Sequence, residues 1–264
     1  KVQRHHHPQR EAIGSFRSVD FLLGAYIQSV NEPTLGCFIT SHGFGHASRS
    51  LAVLAELQAL VPALRFEVFT QTPYWFLAEN LDPVCFTHHD VNVDVGLVQK
   101  NPFQHDLSAT LDLLKDFLPL SKSTIEPLVD TVRQRNCRAI LCDISALGIA
   151  VANAIGVPSI LLENFTWDWM YEEYLDEMPA FSDSIECIRS MSAEANLHLQ
   201  TEPVCNRIAG AHSIPPISRR FRVSREATRA SLDVLPDEHL VLLTTGGIRG
   251  SYDMLDRLRE RSEV

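Results

Sequence analysis

The chain has 264 residues, of which 45% are hydrophobic and 21% charged, and its formal net charge is −10 at pH 7. This composition is that of a globular protein long enough to bury a sizeable core. The negative charge argues against nucleic acid as the main partner, because polyanions attract basic surfaces. No apolar run approaches the roughly 20 residues that cross a bilayer, so we expect no integral membrane segment.

Six cysteines are spread along the chain, none in a C-x-x-C arrangement and several within apolar runs. Reduced, buried thiols of this kind are typical of cytoplasmic proteins, and we expect a cytoplasmic location. Residues 1–10 are polar, lack the apolar core of a signal peptide, and include three histidines at 5–7. We interpret that histidine tract as part of a polar tail rather than as a metal site.

From residue 35 onward the sequence alternates between strand and helix patterns. The predicted strands are 35–40, 65–70, 83–87, 139–143, 157–162 and 197–199. The predicted helices are 50–60, a short one opened by Pro73, 107–135 broken at Pro119 and Pro127, 146–155, 167–175 and 185–195. This alternation predicts an α/β fold, with a Rossmann-like, doubly wound parallel sheet covered by helices on both faces.

The patterns divide the chain into four parts: an appendage at 1–34, a Rossmann-like domain at 35–214, an arginine-rich linker at 215–238, and the start of a second α/β domain at 239–264. The last part reads as a strand, a glycine turn and a helix. Such a unit cannot bury a core alone, so we expect the second domain to be truncated within these 264 residues.

Doubly wound sheets bind ligands beyond the carboxyl ends of their strands, where the strand order reverses. The first loop in such a place is Thr40-Ser-His-Gly-Phe-Gly-His-Ala-Ser-Arg49. Its two glycines allow a tight turn between strand and helix. Its two histidines, His42 and His46, have no third ligand close in sequence, and we therefore expect no metal.

A family resemblance starts in this loop. The run from Gly43 to Leu57 resembles the first loop and helix of GT-B-fold glycosyltransferases, both the MurG-like enzymes and the UDP-glycosyltransferases. It resembles still more the glycosyltransferase-like N-terminal region of L-arabinokinases and of uncharacterised bacterial relatives. The blocks Glu163–Trp169 and Thr244–Gly247 add to the resemblance, which covers about residues 35–260. It implies that 35–214 is the acceptor-side lobe of a GT-B fold and that 239–264 begins the donor-side lobe.

The resemblance implies sugar transfer, of the hexosyl type, from a nucleotide sugar such as a UDP-sugar to the hydroxyl of a small-molecule or glycan acceptor. In such enzymes a histidine of the first loop takes the hydroxyl proton, and an aspartate about a hundred residues later orients it. His46 and Asp143 match these positions. No cofactor is implied beyond the nucleotide-sugar co-substrate.

Further candidate site residues lie in these loops. Aromatic faces stack on sugar rings, and amides and carboxylates bind hydroxyls. A glycine turn before a helix suits an anion. The resemblance implies that the first glycine turn of the second domain approaches the donor diphosphate. The candidates for substrate binding are His42, Gly43, Gly45, Asn164, Trp167 and Asp168. The candidates for binding the donor phosphates are Thr245, Gly246, Gly247 and Arg249.

Several alternatives stay open. His46 can cap the loop and Asp143 the following helix. Trp167 can pack in the core, with Asp168 in the first helical turn. The lobe can also be a non-catalytic module that recognises a sugar or nucleotide sugar beside another catalytic domain. A dehydrogenase is disfavoured because Ser48 replaces the third glycine of the dinucleotide motif, and a serine hydrolase because no G-x-S-x-G occurs.

Overall fold

The computed structural model describes residues 33–101 and 103–242. The strands within these ranges are β1 Thr34–Ile39, β2 Arg65–Phe69, β3 Phe86–His89, β4 Gln99–Asn101, β5 Gln104–His105, β6 Cys137–Asp143, β7 Ser159–Glu163, β8 Leu197–Thr201 and β9 His212–Ile214. The helices are α1 Phe44–Leu60, α2 Tyr74–Ala78, α3 Leu107–Phe117, α4 Lys122–Gln134, α5 Ala146–Ile155, α6 Trp167–Glu172, α7 Ser182–Ala193 and α8 Arg225–Ser231.

Seven of these strands form one parallel sheet in the order β3-β2-β1-β6-β7-β8-β9. The chain moves outward from β1 to β3, returns to place β6 beside β1, and then moves to the other edge. This reversal is the switch point of a doubly wound sheet. The predicted Rossmann-like fold class is therefore confirmed.

The two faces of the sheet follow from the two-residue period of β1. Leu35, Cys37 and Ile39 pack with α1 and α2, whereas Phe38 points to the opposite face, where α4 and α5 pack. A third cluster joins α3, α6 and α7 beneath the loops at the carboxyl edge. Burial of both faces explains why the central strands read as near-continuous apolar runs.

Gly148 lets α5 approach the sheet closely. A Cβ atom at this position would lie 2.7 Å from Sγ of Cys142 and 2.8 Å from Cβ of Phe38. No side chain fits there without moving the helix away from β1 and β6. The glycine therefore fixes the distance between α5 and the two strands that form the switch point.

Several boundaries differ from the sequence predictions. Helix α1 begins at Phe44 rather than near Ser50, so the second half of the predicted loop is helical. Pro127 lies inside α4 and does not break it, because three buried residues on the same helix hold it against the sheet: Leu128, Val129 and Val132. Residues 83–85 form a 3₁₀ turn capped by Asp82, and the strand starts only at Phe86.

Four of these elements were absent from the prediction. Strands β4 and β5 pair antiparallel between the predicted strand 83–87 and the predicted helix 107–135. Strand β9 extends the sheet at one edge, although it has a single apolar residue, Ile214. Helix α8 lies inside the predicted linker 215–238. No helix within the described ranges is long and apolar enough to cross a membrane. Most of the predicted appendage 1–34 and of the predicted second domain 239–264 lies outside the described residues.

Candidate active site

Two strand ends at the switch point bring together the pair that the sequence singled out. Ile39 at the end of β1 is directly paired with Asp143 at the end of β6. Helix α1 starts soon after β1 and carries His46 in its first turn. As a result, Nδ1 of His46 lies 2.9 Å from Oδ1 of Asp143, although 97 residues separate them in the chain. Asp143 is not the cap of the following helix, because Ser145 caps α5.

Asp143 is fully buried and accepts hydrogen bonds on both oxygens. Oδ2 accepts from Nε of Arg49 at 2.9 Å and from Oγ of Ser50 at 2.6 Å. Oδ1 accepts from Nη2 of Arg49 at 2.5 Å and from His46. Burial alone would raise the pKa of Asp143, but the charge of Arg49 and the hydrogen bond from His46 outweigh it and lower that pKa to about 2. The carboxylate is thus a permanent anion near pH 7.

Arg49 also links the pair to the next strand. Its Nη1 donates to Oδ1 of Asn164, just after β7, at 2.7 Å. The ring of Phe165 stands edge-on to His46 with the ring centres 5.6 Å apart. The loops after β1, β6 and β7 are therefore joined through one guanidinium. The sequence reasoning missed Arg49, although its place three residues after His46 on a helix puts both side chains on one face.

The proton on His46 can be assigned from its neighbours. Nδ1 faces Oδ1 of Asp143 at 2.9 Å and Nη2 of Arg49 at 3.1 Å. A carboxylate only accepts and a guanidinium only donates, so Nδ1 can satisfy one of them. We assign the proton to Nδ1, which donates over the shorter contact to the anion. Nε2 then carries a free lone pair and is able to accept a proton.

A cavity of about 410 Å³ lies at the ends of β1, β2 and β3, and neither His46 nor Asp143 is among its lining residues. Its lining residues are Ser41, His42, Gln71, Asn92, Asp94, Val95, Leu113, Asp116 and Phe117. Oδ2 of Asp94 accepts from Nε1 of Trp167 at 2.9 Å. Burial raises the pKa of Asp94 to about 6, and the hydrogen bonds from Thr40 and Trp167 limit the rise.

The loop that carries Asp94 fits closely over His42. Gly96 has a φ of +64°, and a Cβ atom there would lie 2.8 Å from Nδ1 of His42. The hydroxyl of Tyr171 donates to the carbonyl of Gly96 at 3.0 Å and holds the loop in place. Burial lowers the pKa of His42, and the neighbouring His46 and His105 lower it further. His42 is therefore a neutral wall residue near pH 7.

The other predicted site residues have different places. Trp167 is 2% exposed, because its ring stacks on Tyr171 and forms a T-shaped contact with His42. Its ring faces are therefore covered, and Trp167 packs in the core as the alternative interpretation expected. Trp167 does not line the cavity, but its Nε1 donates a hydrogen bond to Asp94, which does. Asp168 is buried, and its Oδ2 accepts a hydrogen bond from Nε of Arg189 at 3.3 Å. It does not line the cavity.

The two glycines of the first loop are exposed at the start of α1, where Gly43 has a φ of 81° and precedes the first helical residue. The predicted donor-phosphate residues Thr245, Gly246, Gly247 and Arg249 lie outside the described residues. In the described part of the chain, no group of three or more His, Cys, Asp or Glu side chains is placed to hold a metal ion.

Comparison with known proteins gives one curated relative and several solved structures. No protein-family model matches the chain. L-arabinokinase of Arabidopsis thaliana is 24% identical over 221 residues, which are 82% of this chain and 21% of that protein. The chain thus spans about one fifth of the length of the curated relative it matches. The predicted resemblance to L-arabinokinases is confirmed by this match.

The solved structures include enzymes of the classes that the first loop resembles. MurG of Acinetobacter baumannii is 15% identical, with 69% of this chain and 44% of that chain covered and a TM-score of 0.39. UGT2 of Phytolacca americana is 14% identical, with 76% of this chain and 57% of that chain covered and a TM-score of 0.44. The Streptomyces glycosyltransferase SsfS6 is 12% identical, with 74% of this chain and 57% of that chain covered and a TM-score of 0.41. The chain is therefore similar to part of L-arabinokinase in sequence, and its own strand order is that of a Rossmann-like sheet.

Proposed function

We propose that the chain handles sugars as the acceptor-side lobe of a glycosyltransferase-like protein, with His46 as general base and Asp143 as the residue that orients it. The observation that carries this proposal is the 2.9 Å contact between these side chains at the switch point. His42, on the loop that leads into the helix of His46, lines the cavity. The sequence similarity to a protein named for a sugar substrate, L-arabinokinase, supports it.

The proposed step moves one proton and one sugar. Nε2 of His46 takes the proton of an acceptor hydroxyl, and the hydroxyl oxygen forms a bond to the anomeric carbon of the donor. The bond from that carbon to the diphosphate breaks, and the nucleoside diphosphate leaves with the electron pair. Asp143 holds the Nδ1 proton and balances the positive charge that His46 gains. Thr245, Gly246, Gly247 and Arg249 remain our prediction for the donor phosphates.

A second candidate function is supported by a specific contact. Arg49 already neutralises Asp143, and its Nη2 lies 3.1 Å from the ring nitrogen of His46. A cation at this distance opposes the positive charge that a general base acquires. A non-catalytic module that recognises a sugar or nucleotide sugar beside another catalytic domain does not need His46 to take up a proton, so this opposition would have no consequence.

One assay distinguishes the two functions. The full-length protein is incubated with UDP-glucose and a panel of sugar acceptors, and the released UDP is measured. If His46 is the base, His46→Ala lowers turnover by ~10²-fold or more without unfolding the protein. The matched control is His212→Ala, at an exposed histidine on β9 that is remote from the switch point in the strand order. Turnover that survives His46→Ala would remove the base role, and sugar binding without turnover would favour the recognition module.

A further inference from the structure

The cavity beside the switch point has the size of a small-ligand site. Ligand pockets range from about 300 to 1,000 Å³, and this one, at about 410 Å³, lies near the lower limit. A single sugar ring suits that volume better than a whole nucleotide sugar. Its walls come from the ends of β1, β2 and β3 and from α3.

The charge of the cavity walls is negative. Asp94 and Asp116 contribute two carboxylates, and among the described residues no Lys or Arg lines the cavity. His42 stays neutral near pH 7 because burial lowers its pKa. A phosphate or carboxylate on the ligand would therefore face two anions and no cation.

The remaining wall groups suit an uncharged ring with many hydroxyls. Each sugar hydroxyl is both a donor and an acceptor. The carboxylates of Asp94 and Asp116 accept from hydroxyls, and the amides of Gln71 and Asn92 can both donate and accept. Nε1 of Trp167 donates a hydrogen bond to Oδ2 of Asp94, so the protein itself helps to position this carboxylate. Apolar wall residues offer a surface for the C–H face of a sugar: Val95, Leu113 and Phe117.

We propose that this cavity selects a neutral, unphosphorylated monosaccharide over the phosphate ester of the same sugar, and that Asp94 and Asp116 provide the selection. The inference rests on the proposed sugar-handling function and adds the class of sugar. Like charges placed next to each other across an interface are costly. We expect the phosphate ester to bind at least ~10-fold more weakly than the free sugar at low salt, with the gap narrowing as salt rises.

The test is a calorimetric titration of the full-length protein at pH 7.5. The probes are L-arabinose, D-glucose, L-arabinose 1-phosphate and D-glucose 1-phosphate. Asp116 is exposed on α3, so Asp116→Asn is expected to fold and to narrow the gap between sugar and sugar phosphate by ~3-fold or more. Asp94→Asn should narrow it further. The matched control is Asp130→Asn, which removes the same charge from an exposed position on α4 and should leave the gap unchanged.

Three results would overturn the inference: equal or tighter binding of the phosphate esters, a gap that Asp116→Asn and Asp94→Asn leave unchanged, or no binding of any of the four probes at tens of millimolar. Its failure is separable from failure of the proposed function. UDP release that depends on His46, in a protein that prefers sugar phosphates, would keep the transfer function and reject the selection. Selective binding of free sugars without UDP release would keep the selection and leave the recognition module as the function.

Discussion

Removing the guanidinium of Arg49 from the switch point should destabilise the fold strongly. We consider Arg49→Met, which keeps the length of the side chain and removes the guanidinium. The change deletes two hydrogen bonds to Asp143 and one to Asn164. Because the side chains of Arg49 and Asp143 are 10% and 0% exposed, water cannot replace the lost cation at the carboxylate.

The magnitude follows from the environment of Asp143. Removing one partner of a buried ion pair costs about 3–5 kcal/mol. His46 and Ser50 still donate to the carboxylate in the variant, so we expect about 3 kcal/mol. The pKa of Asp143 gives a consistent scale, since its fall from 3.8 to about 2 corresponds to about 2 kcal/mol.

The pH dependence has a definite sign. In the wild type the pKa of Asp143 is below its unfolded value, so its contribution is present above pH 3.8 and is lost as the pH falls toward 2. Without Arg49, burial is the largest influence and raises that pKa. The difference in free energy of unfolding between the wild type and Arg49→Met should therefore be largest near pH 7. It should shrink as the pH falls, because Asp143 takes up a proton in the variant.

Urea unfolding at pH 7 and pH 4.5 measures these differences, with Asp143→Asn and the double variant completing a mutant cycle. Groups in direct contact should couple, so the double variant should cost at least about 1 kcal/mol less than the sum of the single ones. A loss below about 1 kcal/mol for Arg49→Met, or additive losses in the cycle, would show that the guanidinium does not stabilise the buried carboxylate.

Two further predictions concern packing and the cavity wall. Gly148→Ala should lower the free energy of unfolding by about 1–3 kcal/mol, because the new methyl overlaps Cys142. Gly45→Ala is the control and should be neutral or slightly stabilising, because no atom lies within 4 Å of its new methyl. Equal losses of stability in urea unfolding would contradict the close approach of α5. Trp167→Phe removes the Nε1 donor and should raise the pKa of Asp94 above about 6; an unchanged Asp94 carboxyl titration, followed by NMR, would show that the indole does not hold this carboxylate.

The meeting of His46 and Asp143 could be predicted because it depends on strand order. The alternation of strands and helices implies a doubly wound sheet, and its switch point places the ends of β1 and β6 side by side. Local sequence therefore carries information on a contact across 97 residues. The periodic signal predicts the fold class and the neighbouring strand ends, whereas the choice of His46 and Asp143 rests on the resemblance to GT-B-fold glycosyltransferases.

The cavity could not be predicted in the same way. Asp94 lies in the irregular segment after β3, where no period shows which way a side chain points. Trp167 looked like a platform for a sugar, but its ring is covered by Tyr171 and His42. Composition alone does not separate a buried aromatic residue from an exposed one, since both kinds of site favour large rings.

Asp143 and Asp94 lie at the same end of the sheet but have different environments, and this difference separates the roles proposed for them. Each carboxylate oxygen of Asp143 accepts two hydrogen bonds, and the donors are His46, Arg49 and Ser50. That carboxylate can orient a base but has no position left for a ligand. Asp94 accepts hydrogen bonds from Trp167 and Thr40 and also lines the cavity. If both proposals hold, recognition of a sugar depends on Asp94 and its neighbours and proton transfer depends on His46, so a variant should be able to lose one without the other.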